Sequence, residues 1–235
     1  LKIPRTEAPL QVLSGNVGTL VRDFSNCNAR LWNDKLGQIS LATTTLFWGV
    51  SGNLRYIVLA WAAAALNYGV TQATSLVGVV TIGTAVGAVV ASAAMKLDKA
   101  PKTIPLGIGM GLLLVGMVFI DNVWVAAPFL ILLGGFGGFL VVPMNALLQH
   151  RGHNLMGAGR SIAVQNFNEQ ACILALGAFY SGLTKVGMSA FGAITIFGLL
   201  VAATMWAIGR WHRRNGIRHR EEVERLLAIA RCDGH

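Results

Sequence analysis

The sequence predicts an all-α membrane protein, a polytopic bundle of six transmembrane helices. Hydrophobic residues make up 54% of the 235-residue chain and charged residues only 12%. Its apolar runs also reach the roughly 20 residues that a helix needs to cross the hydrocarbon of a bilayer. They do not alternate with the period of two that is typical of membrane-barrel strands. We therefore expect six spans, over residues 38–66, 74–95, 103–120, 125–149, 160–184 and 188–209.

The regions outside the spans divide the chain into three parts. Residues 1–36 are expected to form a cytoplasmic connecting segment, residues 37–210 the six-span bundle, and residues 211–235 a basic cytoplasmic tail. Between Val17 and Leu31, apolar residues recur near helical spacing, which predicts either an amphipathic helix on the membrane surface or a solvated linker. Because the chain begins with leucine and not methionine, we expect it to be a fragment.

The tail has its own helical pattern. Glu221 and Arg225 are spaced to form an ion pair along one side of a helix. We expect this helix to pack on the cytoplasmic side through the apolar residues that share its other face, Val223, Leu226, Leu227 and Ala230.

The basic residues predict the orientation of the bundle in the membrane. They are concentrated before the first span, between the second and third, between the fourth and fifth, and after the sixth, whereas the opposite loops hold Lys185 alone. Cytoplasmic loops carry the excess of lysine and arginine, so both termini are predicted to be cytoplasmic. The net charge of +9 therefore indicates topology and attraction to membrane lipids. It does not indicate a nucleic-acid partner, because no nucleic-acid-binding motif accompanies it.

An arginine lies within the first predicted span, in the stretch "LFWGVSGNLRYIVLAW". A charge at bilayer depth is costly, so such a residue usually faces a polar cavity, a partner charge or an anionic ligand. At 100° per residue, Thr44, Ser51 and Arg55 lie on one face of this helix, and Asn53 points largely away from them.

The fifth span carries a second group of polar residues. Ser161, Gln165, Asn168 and Glu169 share one face, and the fourth span adds Asn145. So many polar side chains predict either a hydrogen-bonded cluster between helices or the wall of a substrate pathway. The candidate binding residues are Thr44, Ser51, Arg55, Asn145, Gln165, Asn168 and Glu169.

Glycines separated by four residues occur in three of the predicted spans. Small residues at this spacing allow helix backbones to approach closely, and helices that rock against one another use the same feature. The pairs are Gly83 and Gly87, Gly107 and Gly111, and Gly134 and Gly138.

Three stretches resemble one known family. "TTLFWGVSGNLRY", "GGFLVVPMNALLQHRG" and "GAGRSIAVQNFNEQ" are similar to the second half of bacterial lysophospholipid transporters, a branch of the major facilitator superfamily. The resemblance runs from the connecting segment to the sixth span. It implies that the six helices form the C-terminal half of a twelve-helix transporter, whose N-terminal six-helix half is absent from this chain. The long basic tail departs from the short ending expected of the family.

The resemblance also implies a function. Family members are flippases that move lysophospholipids such as lysophosphatidylethanolamine across the bacterial inner membrane, where an acyltransferase partner re-acylates them. In this superfamily the first, second, fourth and fifth helices of each half line the central cavity, which implies that the seven candidate residues face the substrate. Arg55 would then bind the lipid phosphate, and Glu169 would meet a headgroup ammonium or pair with Arg55.

Two other functions remain open, and two are disfavoured. An exporter of another small amphipathic solute or drug has the same fold, and a purely structural membrane module would share the composition. An acyltransferase is disfavoured because no His-x4-Asp pair occurs, and the His219 and Glu224 pair that comes nearest lies in the charged tail. An ATP-driven pump would need a Gly-x4-Gly-Lys-Ser/Thr loop, which the sequence lacks. We expect no cofactor and no bound metal.

Overall fold

The protein folds into a bundle of helices in the computed structural model, which describes residues 17–232. Within that range there are α-helices and short 3-10 helices and no strands, so the predicted all-α class is confirmed. The predicted segment 1–36 is thus described only from Val17. The α-helices are α1 (Val17–Asn33), α2 (Gly37–Leu66), α3 (Val70–Ala94), α4 (Ile104–Gly116), α5 (Val123–Met156), α6 (Ala158–Lys185), α7 (Ala190–Arg218) and α8 (Arg220–Cys232).

Each predicted span coincides with one of the helices α2 to α7. Among the described residues, four helical segments are long and apolar enough to cross a membrane: Val70–Ala94, Leu97–Phe119, Val123–Met156 and Ala190–Arg218. The second of these joins α4 to the 3-10 helices on either side of it, Leu97–Thr103 and Met117–Phe119. The chain is therefore a multi-pass membrane protein. Helices α2 and α6, with 30 and 28 residues, are similar in length to these four segments but less apolar.

The glycine pairs lie where helices cross most closely. A Cβ atom at Gly83 would collide with the carbonyl oxygen of Ile131, and one at Gly138 with the carbonyl oxygen of Thr84. Helices α3 and α5 are therefore in backbone contact. Between α4 and α7, a Cβ atom at Gly111 would lie 2.5 Å from the backbone nitrogen of Ala202. The predicted close packing is confirmed, because only glycine leaves room for these crossings.

Helix α1 packs against the bundle. Its Cys27 and Leu31 are buried in a small apolar cluster with Leu41, Leu148 and Val164, which belong to α2, α5 and α6. The solvated-linker alternative is therefore wrong for this segment. The predicted apolar face is divided, since Leu31 packs on the bundle while the residues near the start of α1 stay exposed, namely Val17, Leu20 and Val21.

Helix α8 also packs back on the bundle. Val223, Leu226 and Ala230 are buried, as their shared face predicts. The expected pair of Glu221 with Arg225 is wrong, because Arg220 donates to Glu224 Oε1 at 2.7 Å instead. This hydrogen bond raises the pKa of the exposed Arg220 guanidinium. The register of the pair depends on how the chain turns at His219 after α7, which the spacing alone does not specify.

The connections that carry basic residues meet at one end of the bundle. Arg231 of α8 forms an ion pair with Asp98 between α3 and α4, at 3.2 Å. Trp32 of α1 stacks on Trp211 of α7, with ring centroids 6.3 Å apart. This end, here called the basic end, contains the start of α2, the connection from α3 to α4, the junction of α5 with α6, and the end of α7.

Candidate functional site

The polar face of α6 turns into the bundle. Ser161, Gln165 and Glu169 are each less than 9% exposed, although their helix is long enough to span a membrane. Helix α6 begins directly after α5, and Gly157 makes the turn between them with φ of +82°, a conformation that side chains disfavour. The sharp turn places the start of α6 beside the end of α5, so that their polar residues face one another.

Three of the seven candidate residues form one hydrogen-bonded cluster. Gln165 Nε2 donates to Asn145 Oδ1 on α5 at 2.7 Å and to Glu169 Oε1 at 2.8 Å. The amide of Gln165 thus links the two helices and also binds the only carboxylate in α6. Within the described residues, Glu169 has no ion-pair partner. A buried carboxylate without a cation retains the capacity to bind one, which suits a ligand-binding role.

Asn168 lies against α1, outside this cluster. Its Nδ2 donates to Asn28 Oδ1 at 2.9 Å and to the carbonyl oxygen of Val164 at 2.8 Å, and its Oδ1 accepts from Trp32 Nε1 at 3.4 Å. Phe24 of α1 makes an edge-to-face contact with Phe167 beside it, with ring centroids 5.1 Å apart. Helix α1 therefore covers the part of α6 that the sequence predicts to face substrate.

The three candidates on α2 have three different environments. Thr44 is fully buried, and its hydroxyl donates to the carbonyl oxygen of Ser40 at 3.0 Å within the same helix. Ser51 is half-buried beside Thr84 of α3 and apolar residues of α4 and α5. Arg55 is exposed and, within residues 17–232, forms no ion pair. The predicted shared face is therefore partly covered by other helices.

The expected pairing of Arg55 with Glu169 is absent. No ion pair joins these residues in the described part of the chain, although Glu169 is buried and Arg55 is exposed on the neighbouring helix. The structure thus brings Asn145, Gln165 and Glu169 together and leaves Arg55 apart from them. If α2 crosses the membrane, as the sequence predicts, an exposed guanidinium at this depth is costly against lipid and calls for a polar surrounding.

Asn53 joins α2 to α6, a role that the sequence analysis missed. Its Nδ2 donates to the carbonyl oxygens of Gly49, at 2.8 Å, and of Ile173 on α6, at 3.0 Å. A Cβ atom at Gly49 would lie 2.5 Å from Cys172 Sγ, so the helices approach closely here. In the sequence, the close approach of two helices at this point is indicated by Gly49 and Gly52, which come just before Asn53.

A buried ion pair at the basic end was also missed. Arg151 binds both oxygens of Asp34, with Nη2 to Oδ2 at 2.6 Å and Nε to Oδ1 at 3.1 Å. Asp34 Oδ1 also accepts from the backbone nitrogen of Gly37 at 2.7 Å, which satisfies a free donor at the start of α2. This carboxylate joins the connection between α1 and α2 to the end of α5. From the sequence, Arg151 is only one of the basic residues between the fourth and fifth predicted spans.

Comparison with known proteins gives one consistent result. The chain is 36% identical over 216 residues to the lysophospholipid transporter LplT of Escherichia coli O1:K1 / APEC, and 32% identical over 212 residues to the LplT of Photorhabdus laumondii. These alignments cover 91% and 90% of this chain. The family resemblance is confirmed. These relatives are named as transporters.

The similarity is confined to part of each relative. The chain spans about half the length of the curated relatives it matches, 54% of the Escherichia coli protein and 53% of the Photorhabdus protein. No protein-family model matches the chain. No solved structure matches it either.

Proposed function

We propose that the protein containing this chain is a lysophospholipid transporter of the major facilitator superfamily, and that this chain is its C-terminal six-helix half. The observation that carries the proposal is the identity of 32–36% with LplT proteins over about nine tenths of the chain. Because the chain spans about half of those relatives, their other half is the candidate for the second wall of the cavity.

The hydropathy of the six helices supports this proposal. Helices α2 and α6 are about 45 and 42 Å long, at 1.5 Å per residue, which is enough to cross a bilayer. Their polar residues lower their hydropathy below that of the other four segments. This pattern is expected of helices that line a polar pathway and not of helices surrounded by lipid. All six helices are therefore proposed as spans.

The polar groups suit the two ends of a lysophospholipid headgroup. A guanidinium such as that of Arg55 binds a phosphodiester with two parallel hydrogen bonds, and a carboxylate such as that of Glu169 binds an ammonium. We propose that both face the transport cavity, with Ser51 as a further donor and with Asn145, Gln165 and Asn168 as polar lining. Thr44, which bonds within its own helix, is the weakest member of the set.

The orientation follows from the basic end. Positively charged residues of four separate connections gather there, and such residues favour the cytoplasmic side of the membrane. We propose that both termini are cytoplasmic and that the protein lies in the bacterial inner membrane. There it would deliver lysophospholipid to the inner leaflet for re-acylation by an acyltransferase.

A transfer assay tests this function. The complete protein is reconstituted into vesicles, and movement of fluorescent lysophosphatidylethanolamine between leaflets is followed by extraction of the outer leaflet with albumin. We expect transfer that depends on the protein and is inhibited by unlabelled lysophospholipid. Transport of a drug-like dye without any transfer of lysophospholipid would instead support the exporter alternative.

A further inference from the structure

A cleft of about 740 Å³ lies along the last turns of α7, at the basic end. Four arginines and two tryptophans form most of its wall, and it is here called the basic cleft. These residues are Arg210, Arg213, Arg214, Arg218, Trp206 and Trp211. The cleft is separate from the cluster of Asn145, Gln165 and Glu169, so the proposed transport function does not use it.

Among residues 17–232, the four arginines of the basic cleft have no acidic partners. All four are exposed, and none forms an ion pair within residues 17–232, whereas Arg220 and Arg231 further along the chain do. Arg210, Arg214 and Arg218 are spaced by four residues, so their charges repel along one side of the helix. Four guanidiniums held together without carboxylates form a site for an anion.

Apolar and aromatic side chains accompany the charges. Trp206 is 50% exposed and Ile217 82% exposed, and the guanidinium of Arg210 lies 4.9 Å from the centre of the Trp206 ring. Tryptophan is enriched at the boundary between lipid and water, where one side of its ring is apolar and the other is wet. The cleft therefore combines a polar anion site with a surface suited to hydrocarbon.

We infer that the basic cleft binds the headgroup of an anionic phospholipid, such as phosphatidylglycerol, from the surrounding bilayer. Helix α7 is one of the segments long and apolar enough to cross a membrane, and the cleft lies at its end, where lipid headgroups are found. The arginines bind the phosphate, and Trp206, which lies on the bilayer side of Arg210, contacts the glycerol and the start of the acyl chains. Clusters of four or more basic residues next to a span are typical of anionic-lipid binding.

The basic cleft is also connected to α1. Trp211, in its wall, stacks on Trp32, and Trp32 in turn donates to Asn168 on α6. A bound anionic lipid would reduce the repulsion among the arginines beside this stack. The inference stands without the proposed function, because it concerns a lipid of the bilayer and not the transported molecule.

Lipid retention tests the inference. The complete protein is reconstituted in nanodiscs that contain equal amounts of phosphatidylethanolamine and phosphatidylglycerol, released into mild detergent, and weighed by native mass spectrometry. We expect the protein to retain phosphatidylglycerol in clear preference to phosphatidylethanolamine. Replacing Arg210, Arg214 and Arg218 by glutamine should reduce this preference by about a hundredfold, since each arginine near an anionic surface contributes about fivefold.

A matched variant separates a defined site from net charge. Arg22, Arg30 and Arg225 are exposed and without ion pairs in the described residues, so changing them to glutamine removes the same charge elsewhere. This variant should retain the preference for phosphatidylglycerol. The single change Arg214→Gln, which disturbs folding least, should lower it about fivefold.

Three results would overturn the inference. The first is equal retention of both lipids by the unmodified protein. The second is an equal loss in the two triple variants, which would make the effect one of net charge. The third is release of the retained lipid by a short oligonucleotide at matched phosphate concentration and not by soluble phosphatidylglycerol, which would assign the arginines to nucleic acid.

Discussion

Gln165 holds the candidate site together because its single amide donates to residues on two helices, Asn145 and Glu169. The carboxylate of Glu169 is buried and has this amide as its neutral partner. A neutral donor leaves the charge of a carboxylate uncompensated. Such a carboxylate is poised to accept a cationic group from a ligand, and its charge is therefore the feature to test.

The change Glu169→Gln keeps the shape of this side chain and removes its charge. We expect transport of lysophosphatidylethanolamine to fall at least about tenfold, because hydrogen bonds to a charged group are stronger than those to a neutral one. Initial rates in reconstituted vesicles measure this. The control is Glu224→Gln in the exposed part of α8, which should leave transport unchanged. Full activity of the Glu169 variant would exclude the carboxylate from the binding site.

One ion pair involves α1 and another involves its connection to α2. They differ in burial, and so we expect them to contribute differently to the free energy of unfolding. The side chains of Asp34 and Arg151 are both less than 9% exposed. Asp23 and Arg160 also form an ion pair, with Arg160 Nη2 3.0 Å from Asp23 Oδ2, but their side chains are about half exposed. Asp34→Asn should lower the free energy of unfolding by about 3 kcal/mol, because it leaves Arg151 buried without a partner. Asp23→Asn should cost less than about 1 kcal/mol. Unfolding in mixed detergent micelles measures both free energies. Equal losses in the two variants would contradict the difference in burial between the two ion pairs.

At the level of helices, α3 and α5 cross with their backbones in contact. Gly134 and Gly135 are adjacent but differ in their surroundings. A Cβ atom at Gly134 would collide with the carbonyl oxygen of Val80, whereas one at Gly135 would meet only the carbonyl oxygen of Gly83 at 3.7 Å. The two positions therefore form a matched pair for substitution.

Gly134→Ala should separate the helices and lower the free energy of unfolding by about 1–3 kcal/mol, as overpacked cores do. Gly135→Ala should have almost no effect, because 3.7 Å is an ordinary contact distance. A bulky residue at Gly134 or Gly138 is expected to slow transport more than it weakens binding if the crossing must also rock. Equal stability of the two alanine variants would contradict the close crossing.

The sequence predicts the helices well and their polar contacts poorly, for a physical reason. Apolar runs and glycine spacing are local, so the positions of α2 to α7 and the close packing at Gly134 follow from them. The ends of the helices do not: α5 and α7 continue to Met156 and Arg218, beyond the apolar runs that end near residues 149 and 209. The partners of Asp34 and Asn168 are 117 and 140 residues away in the chain. Such contacts depend on how helices pack, and helical periodicity does not specify them. For the same reason, helical periodicity shows that Asn53 points away from the face of Arg55 but not that it bonds to α6.

At the level of the whole molecule, the basic connections meet at one end and the remaining loops at the other. Cysteine labelling from outside sealed cells tests the orientation that this predicts. A cysteine at Tyr68, in the loop between α2 and α3, should react, whereas cysteines at Lys99 and Arg213 should not. Reaction of the last two in sealed cells would contradict the topology, and reaction of all three after permeabilisation serves as the control.

We propose that Arg55 binds the phosphate of a transported lysophospholipid. The guanidinium is exposed on α2 and unpaired within the described residues, so a structural pair with Glu169 does not explain it. Only a ligand or the rest of the transport cavity would then surround it with polar groups. Arg55→Lys keeps the charge but loses the forked geometry that matches a phosphate.

Transport of fluorescent lysophosphatidylethanolamine by Arg55 variants of the complete protein tests whether Arg55 binds the lipid phosphate. We expect near-complete loss with Arg55→Ala and a partial loss with Arg55→Lys, at normal protein levels, while Arg22→Ala on α1 remains active. The double change Arg55→Ala with Glu169→Ala should also be inactive. Recovery of transport in that double variant would show that the two charges only hold the helices together, and would contradict a phosphate site at Arg55.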